Sequence, residues 1–69
     1  MIDVRKLKAL IIEKGETQKS VSKALNITPH AFRARLRKGV LTSDQIMVLI
    51  DVLEISNPED IFFVKEITY

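Results

Sequence analysis

Val4, Leu7 and Ile11, with Leu10 beside them, recur at the three- and four-residue intervals that put side chains on one face of an α-helix. Asp3 stands ahead of them as an N-cap. Lys14-Gly15 close the segment, since glycine accepts the left-handed conformation at a helix end. Ile12 lies off the stripe. Thr17 caps the next segment, Gln18 to Leu25, in which Val21 and Leu25 lie one turn apart with Ala24 beside them. Asn26-Ile27-Thr28-Pro29 breaks the pattern and restarts it. Asparagine tolerates positive φ, Thr28 supplies a hydroxyl cap, and proline at the first helical position loses no needed N–H. A third helix is expected from Pro29 to about Lys38, stopped by Gly39. Thr42-Ser43-Asp44-Gln45 has the form of a capping box, and Ile46, Leu49, Ile50 and Leu53 line one face of a fourth helix behind it. Met47, Val48 and Val52 widen that face beyond what one neighbour needs. Asn57-Pro58-Glu59-Asp60 opens a last element, with Ile61 to Val64 as a helical turn. The ending, Val64 to Tyr69, alternates and is β-branched; helix, strand and disordered tail all stay open for it.

The expectation is an all-α fold, a compact four- to five-helix bundle forming a single domain over residues 1–69. Core helices would occupy 1–58, with 59–69 as a C-terminal segment available for an interface. Within it, residues 18–38 have helix-turn-helix spacing: two short helices, a break of three or four residues, and an αL-tolerant residue in the break. Val21, Leu25, Ile27, Phe32 and Leu36 are spaced to pack those helices on each other and on the first. Ser22 is small where they come close. With Phe32 and Leu36 marking the buried side of the third helix, the opposite side carries His30, Ala34 and Arg37. Arg33 and Lys38 stand at its edges and Arg35 near the boundary.

Charge sharpens this picture. Net charge is only +2, but residues 1–39 hold ten Lys/Arg against three acids, a balance of +7, and residues 40–69 hold one against six, a balance of −5. Such a split suits one half that meets a polyanion and one that does not. Other classes lose support. The chain has no cysteine and a single histidine, so a disulfide framework, a thiolate site and a zinc site all lack ligands, and neither metal nor cofactor is expected. The longest unbroken apolar run is five residues, Ile46 to Ile50, far short of a membrane span, and no signal core opens the chain. There is no phosphate-binding glycine loop, and His30 sits among arginines with no orienting acid, which argues against an enzyme.

A helix presenting Arg33 and Arg37 one turn apart suits the DNA major groove, where arginine pairs bidentately with guanine. The small Ala31 and Ala34 let such a helix approach base edges. Gln18 and Lys19 open the second helix, where amides and side chains can hold a phosphate, and Lys23, Arg35 and Lys38 are further backbone contacts. Plainer explanations compete. Arg37 and Lys38 also complement the helix macrodipole, and His30 suits a surface position near a helix start. Arg33 and Arg37 have no acid at i,i+4 to pair with, which weakens the salt-bridge alternative.

The stretches "LKALIIEKGETQ", "VSKALNIT", "LTSDQIMVLIDVLEI" and "SNPEDIFF" make the chain, from Leu7 to about Phe63, similar to the Cro/CI-type (XRE-like) helix-turn-helix repressors of phages and bacteria. The resemblance implies a bundle of the lambda-repressor-like DNA-binding type. It also implies phosphate binding at Gln18, with Thr17 beside it, and base reading at Pro29, His30, Arg33 and Ala34, to which the spacing adds Arg37. The chain departs from the family in having Ser22 for a small alanine, Asn26 for the turn glycine and Arg-Lys-Gly after the recognition helix. Two functions follow as expectations. One is a Cro-like transcriptional regulator of the host cytoplasm and nucleoid, reading a double-stranded operator, with Met47, Val48, Phe62, Phe63, Ile67 and Tyr69 as candidates for a homodimer interface or for completing the core. The other is an antirepressor or modulator of a genetic switch, forming a heteromer with an opposing phage repressor.

Overall fold

The computed structural model describes residues 2–62, and among them all regular structure is helical. There are five helices: α1 (Val4–Glu13), α2 (Gln18–Ala24), α3 (Pro29–Lys38), α4 (Ser43–Val52) and α5 (Glu59–Phe62). The first four begin at the expected caps. Asp3, Thr17, Thr28 and Thr42 each accept a hydrogen bond from the backbone N–H three residues on, satisfying a donor that the helix itself cannot. At α4 the box is closed as expected, by the Thr42 N–H donating to Gln45 Oε1 at 3.0 Å. The same arrangement at α2, closed by Ser20 Oγ at 2.9 Å from the Thr17 N–H, departs from the Glu/Gln pattern by which such boxes are recognised.

Four helices also end alike. The chain turns to positive φ at Gly15 (75°), Asn26 (61°), Gly39 (69°) and Glu54 (50°). After each, the next N–H reaches back five residues: Glu16 to the Ile11 carbonyl, Ile27 to Ser22, Val40 to Arg35, and Ile55 to Ile50, at 2.9, 3.0, 3.2 and 3.0 Å. This is the hydrogen bond of the Schellman motif, which satisfies a carbonyl left over at the helix end. Gly15, Asn26 and Gly39 are residues that tolerate the geometry. Glu54 is not one of them, and it adds a negative charge at a helix C-terminus, where the dipole disfavours it.

The core is built where the apolar stripes meet. Leu7, Val21, Phe32, Leu49 and Leu53 are wholly buried, joined by Ile11, Leu25 and Leu36. The α2 helix packs on α3 and on α4, and α1 packs on α5. Ser22 is the one buried polar residue among those described, and its Oγ donates to the Lys19 carbonyl at 2.8 Å, so nothing polar is stranded. Ile12 stands 76% exposed, off the stripe as its position predicts.

At the C-terminal end one of two open alternatives is taken. The core does not stop at residue 58: Ile61 and Phe62 of α5 are buried, and the Asp3 N–H donates to the Ile61 carbonyl, tying the two ends together. Phe62, 3% exposed, completes the core, one of the two roles open to it. A domain this small has too little apolar surface to leave such a ring outside. Met47 is exposed, and Val48 is half-buried and packed against the core. Phe63, Ile67, Tyr69 and the form of the 64–69 tail lie outside the described residues. Among those described, no helix is long and apolar enough to cross a membrane.

Candidate nucleic-acid interface

The α2–turn–α3 unit is fixed by three local devices. Asn26 in the left-handed conformation ends α2, Thr28 caps α3 through the Ala31 N–H at 3.1 Å, and Pro29 occupies its first position. Phe32 and Leu36 then anchor α3 by one face. Rotation about that anchor decides the rest. His30, Arg33, Arg37 and Lys38 are exposed, whereas Pro29, Ala34 and Arg35 are half-buried. No acid lies anywhere on α3.

The structure divides the expected contact residues into three neighbourhoods. Arg33 and Arg37 border a surface cavity with Gln18 at the start of α2, and with Val4, Leu36 and Lys8. Its volume, about 300 Å³, is at the small end of ligand pockets. Three cations on its walls suit a surface anion better than an enclosed molecule. Pro29 lies in a second depression with Lys19, Lys23 and Asn26. Ala34 lies in a third with Ala31, Arg35, Lys38 and Val40. The base-reading and phosphate-binding candidates are thus interleaved along α3 and its flanks instead of forming two separate groups.

None of these three cavities contains a carboxylate. A fourth, between α1 and the α4–α5 connection, contains Glu13, Glu54 and Asp60 along with Lys6 and Lys14. The charge imbalance between the halves of the sequence is therefore carried into space: the α3 side is cationic, and acids gather away from it.

One expected contact is modified by its surroundings. The Thr17 hydroxyl oxygen accepts from the Ser20 N–H as an N-cap, leaving its O–H and one lone pair for outside partners. Ser20 Oγ donates to Glu16 Oε1 at 2.8 Å, which sets a carboxylate beside the start of α2. A phosphate there would meet that charge, so the side chains of Gln18 and Lys19, and not the helix end alone, have to hold it. Lys8 is the cation beside Arg33 and Arg37 that sequence reasoning missed. It follows Val4 by one turn on the edge of the α1 stripe, a position that marks a residue bordering a neighbouring helix, but only the folded chain shows the neighbour to be Arg33 and Arg37.

Among the described residues no cluster of His, Asp or Glu is arranged to hold a metal ion. Comparison with protein-family models, with curated proteins and with solved structures returns no significant match.

Proposed function

We propose that this chain is a sequence-specific DNA-binding regulator that reads the major groove with α3, in the manner of the Cro-like repressors its sequence resembles. The observation that carries this reading is the exposure of Arg33 and Arg37, one turn apart, on a helix with no acid of its own and beside cavities without carboxylates. Surface arginines in an ordinary soluble domain are interspersed with acids. Exposed and with no carboxylate beside them among the described residues, they can reach guanine O6 and N7 or phosphate oxygens.

The dimensions agree. An α-helix with its side chains is about 10–12 Å across, and the major groove is about 12 Å wide. The ten residues of α3 span about 15 Å, or roughly four base pairs at 3.4 Å each. Four base pairs recur too often to mark a single site, so an operator would contain two half-sites, about 34 Å apart, read by two copies. Lys8, Gln18, Lys19 and Lys23 flank α3 as contacts that fix its position on the backbone. Arg33 and Arg37 then discriminate among bases, with His30 and Ala34 as lesser readers.

Selection from a pool of random duplexes tests the reading. The wild-type chain should enrich a two-half-site motif containing guanines. The double variant Arg33→Ala/Arg37→Ala should lose at least about 2 kcal/mol of affinity for that motif while staying folded. Recovery of no motif, or the same motif with the variant, would end this proposal.

A further inference from the structure

We propose that the outward face of α4 is a docking surface for a basic amphipathic segment of another protein. Down the centre of that face run Asp44, Met47 and Asp51, spaced so that the methionine lies between two carboxylates, one turn to either side. Val48 and Val52, one turn apart, form its flank. Met47 is 67% and Val52 38% exposed, whereas Leu49 on the opposite side is wholly buried. So the core is already served by the far side of the helix. Val48 packs partly against it as well, whereas Met47 and Val52 are left in water.

Charge selects the occupant. Residues 40–62 contain no lysine, arginine or histidine, so nothing on α4 or α5 neutralises Asp44 and Asp51. DNA and anionic surfaces are repelled from this face. A second copy meeting it about a two-fold axis would set the carboxylates of one α4 against those of the other, again with no cation on either helix. A segment with an apolar stripe to cover Met47, Val48 and Val52, and with Lys or Arg along its rim to meet Asp44 and Asp51, satisfies both features. Methionine, unbranched and polarizable, adapts to such partners. Anchors at helical spacing are how an amphipathic helix is recognised. The face shares no residue with the α3 surface read as the DNA contact.

The test is an NMR titration of the isotope-labelled full chain with two synthetic peptides. Both have leucines along one helical face; one is rimmed with lysines, the other with glutamates. The lysine peptide should shift the amide resonances of residues 44–52, less so as salt is added, and the glutamate peptide should not. Met47→Lys should weaken binding at least about tenfold, as loss of a central anchor does. Asp51→Asn should weaken it less. Shifts mapping to α3, no shift at all, or equal binding of both peptides would overturn the proposal. Resonances of residues 44–52 that move with protein concentration alone would give the face to a second copy and overturn it equally.

Discussion

Arg33 and Arg37 stand one turn apart on α3, and their value lies in what surrounds them: no acid on their own helix and none in the cavities beside it. Both are exposed, so each alanine variant should change stability by less than about 0.5 kcal/mol. Each should remove about 1–3 kcal/mol of discrimination at one base position, read as relaxed sequence preference in a binding series. Lys8 should behave differently. As a phosphate contact it should weaken all duplexes alike when changed to alanine, and lower the magnitude of the salt slope by about one. Glu54 is the residue whose conformation the sequence does not announce. Its φ of 50° is needed for the bond from the Ile55 N–H to the Ile50 carbonyl, yet glutamate has no preference for that region. Glu54→Gly should therefore raise stability by about 1 kcal/mol in thermal or denaturant unfolding. Gly15, Asn26 and Gly39 were legible as helix stops because their side chains permit positive φ. Glu54 adopts it because Leu53 must be buried and Ile55 half-buried, a tertiary demand with no local signature.

At the scale of the element, α3 runs from Pro29 to Lys38 as the pattern predicts, because a hydroxyl cap, a proline and a terminal glycine are all local signals. The same holds for α4 and its box. Changing Thr42 to alanine should cost about 1 kcal/mol by removing the acceptor for the Gln45 N–H, measurable by denaturant unfolding. The α5 helix is the contrary case. Four residues cannot hold a helix by themselves, and only their burial against α1 explains them. Composition marked Phe62 as apolar but gave no means of choosing between core and interface; the bond from Asp3 to the Ile61 carbonyl shows how closely that end is held to the start of α1. Phe62→Ala should cost about 3–5 kcal/mol, a large part of what a domain of this size has, and should appear as partial or complete loss of the cooperative unfolding transition. An interface residue would show no such loss in the isolated chain.

Across the whole molecule, the division of charge along the sequence survives folding. Lys8 of α1 joins Arg33 and Arg37 of α3 around one cavity, whereas Glu13, Glu54 and Asp60 lie around another. This polarity was legible as a count, +7 against −5, but its geometry was not, since a count does not say which helices become neighbours. Lys8 shows the gap: the sequence places it on the edge of a stripe, and packing gives it a cationic partner across the helix boundary. On the two proposals the sides would do separate work, a polyanion on one and a basic partner on the other.

The salt dependence of binding to a random-sequence duplex, measured for the wild-type chain and for the backbone-contact variant Lys19→Ala/Lys23→Ala, tests the central claim most directly. Each phosphate neutralised contributes about −0.9 to the slope of log K against log salt. If about six are engaged per monomer, the wild-type slope should be about −5, and removing two contacts should bring it to between about −3 and −4. Absence of binding at low salt, or equal slopes for the two chains, would contradict the account.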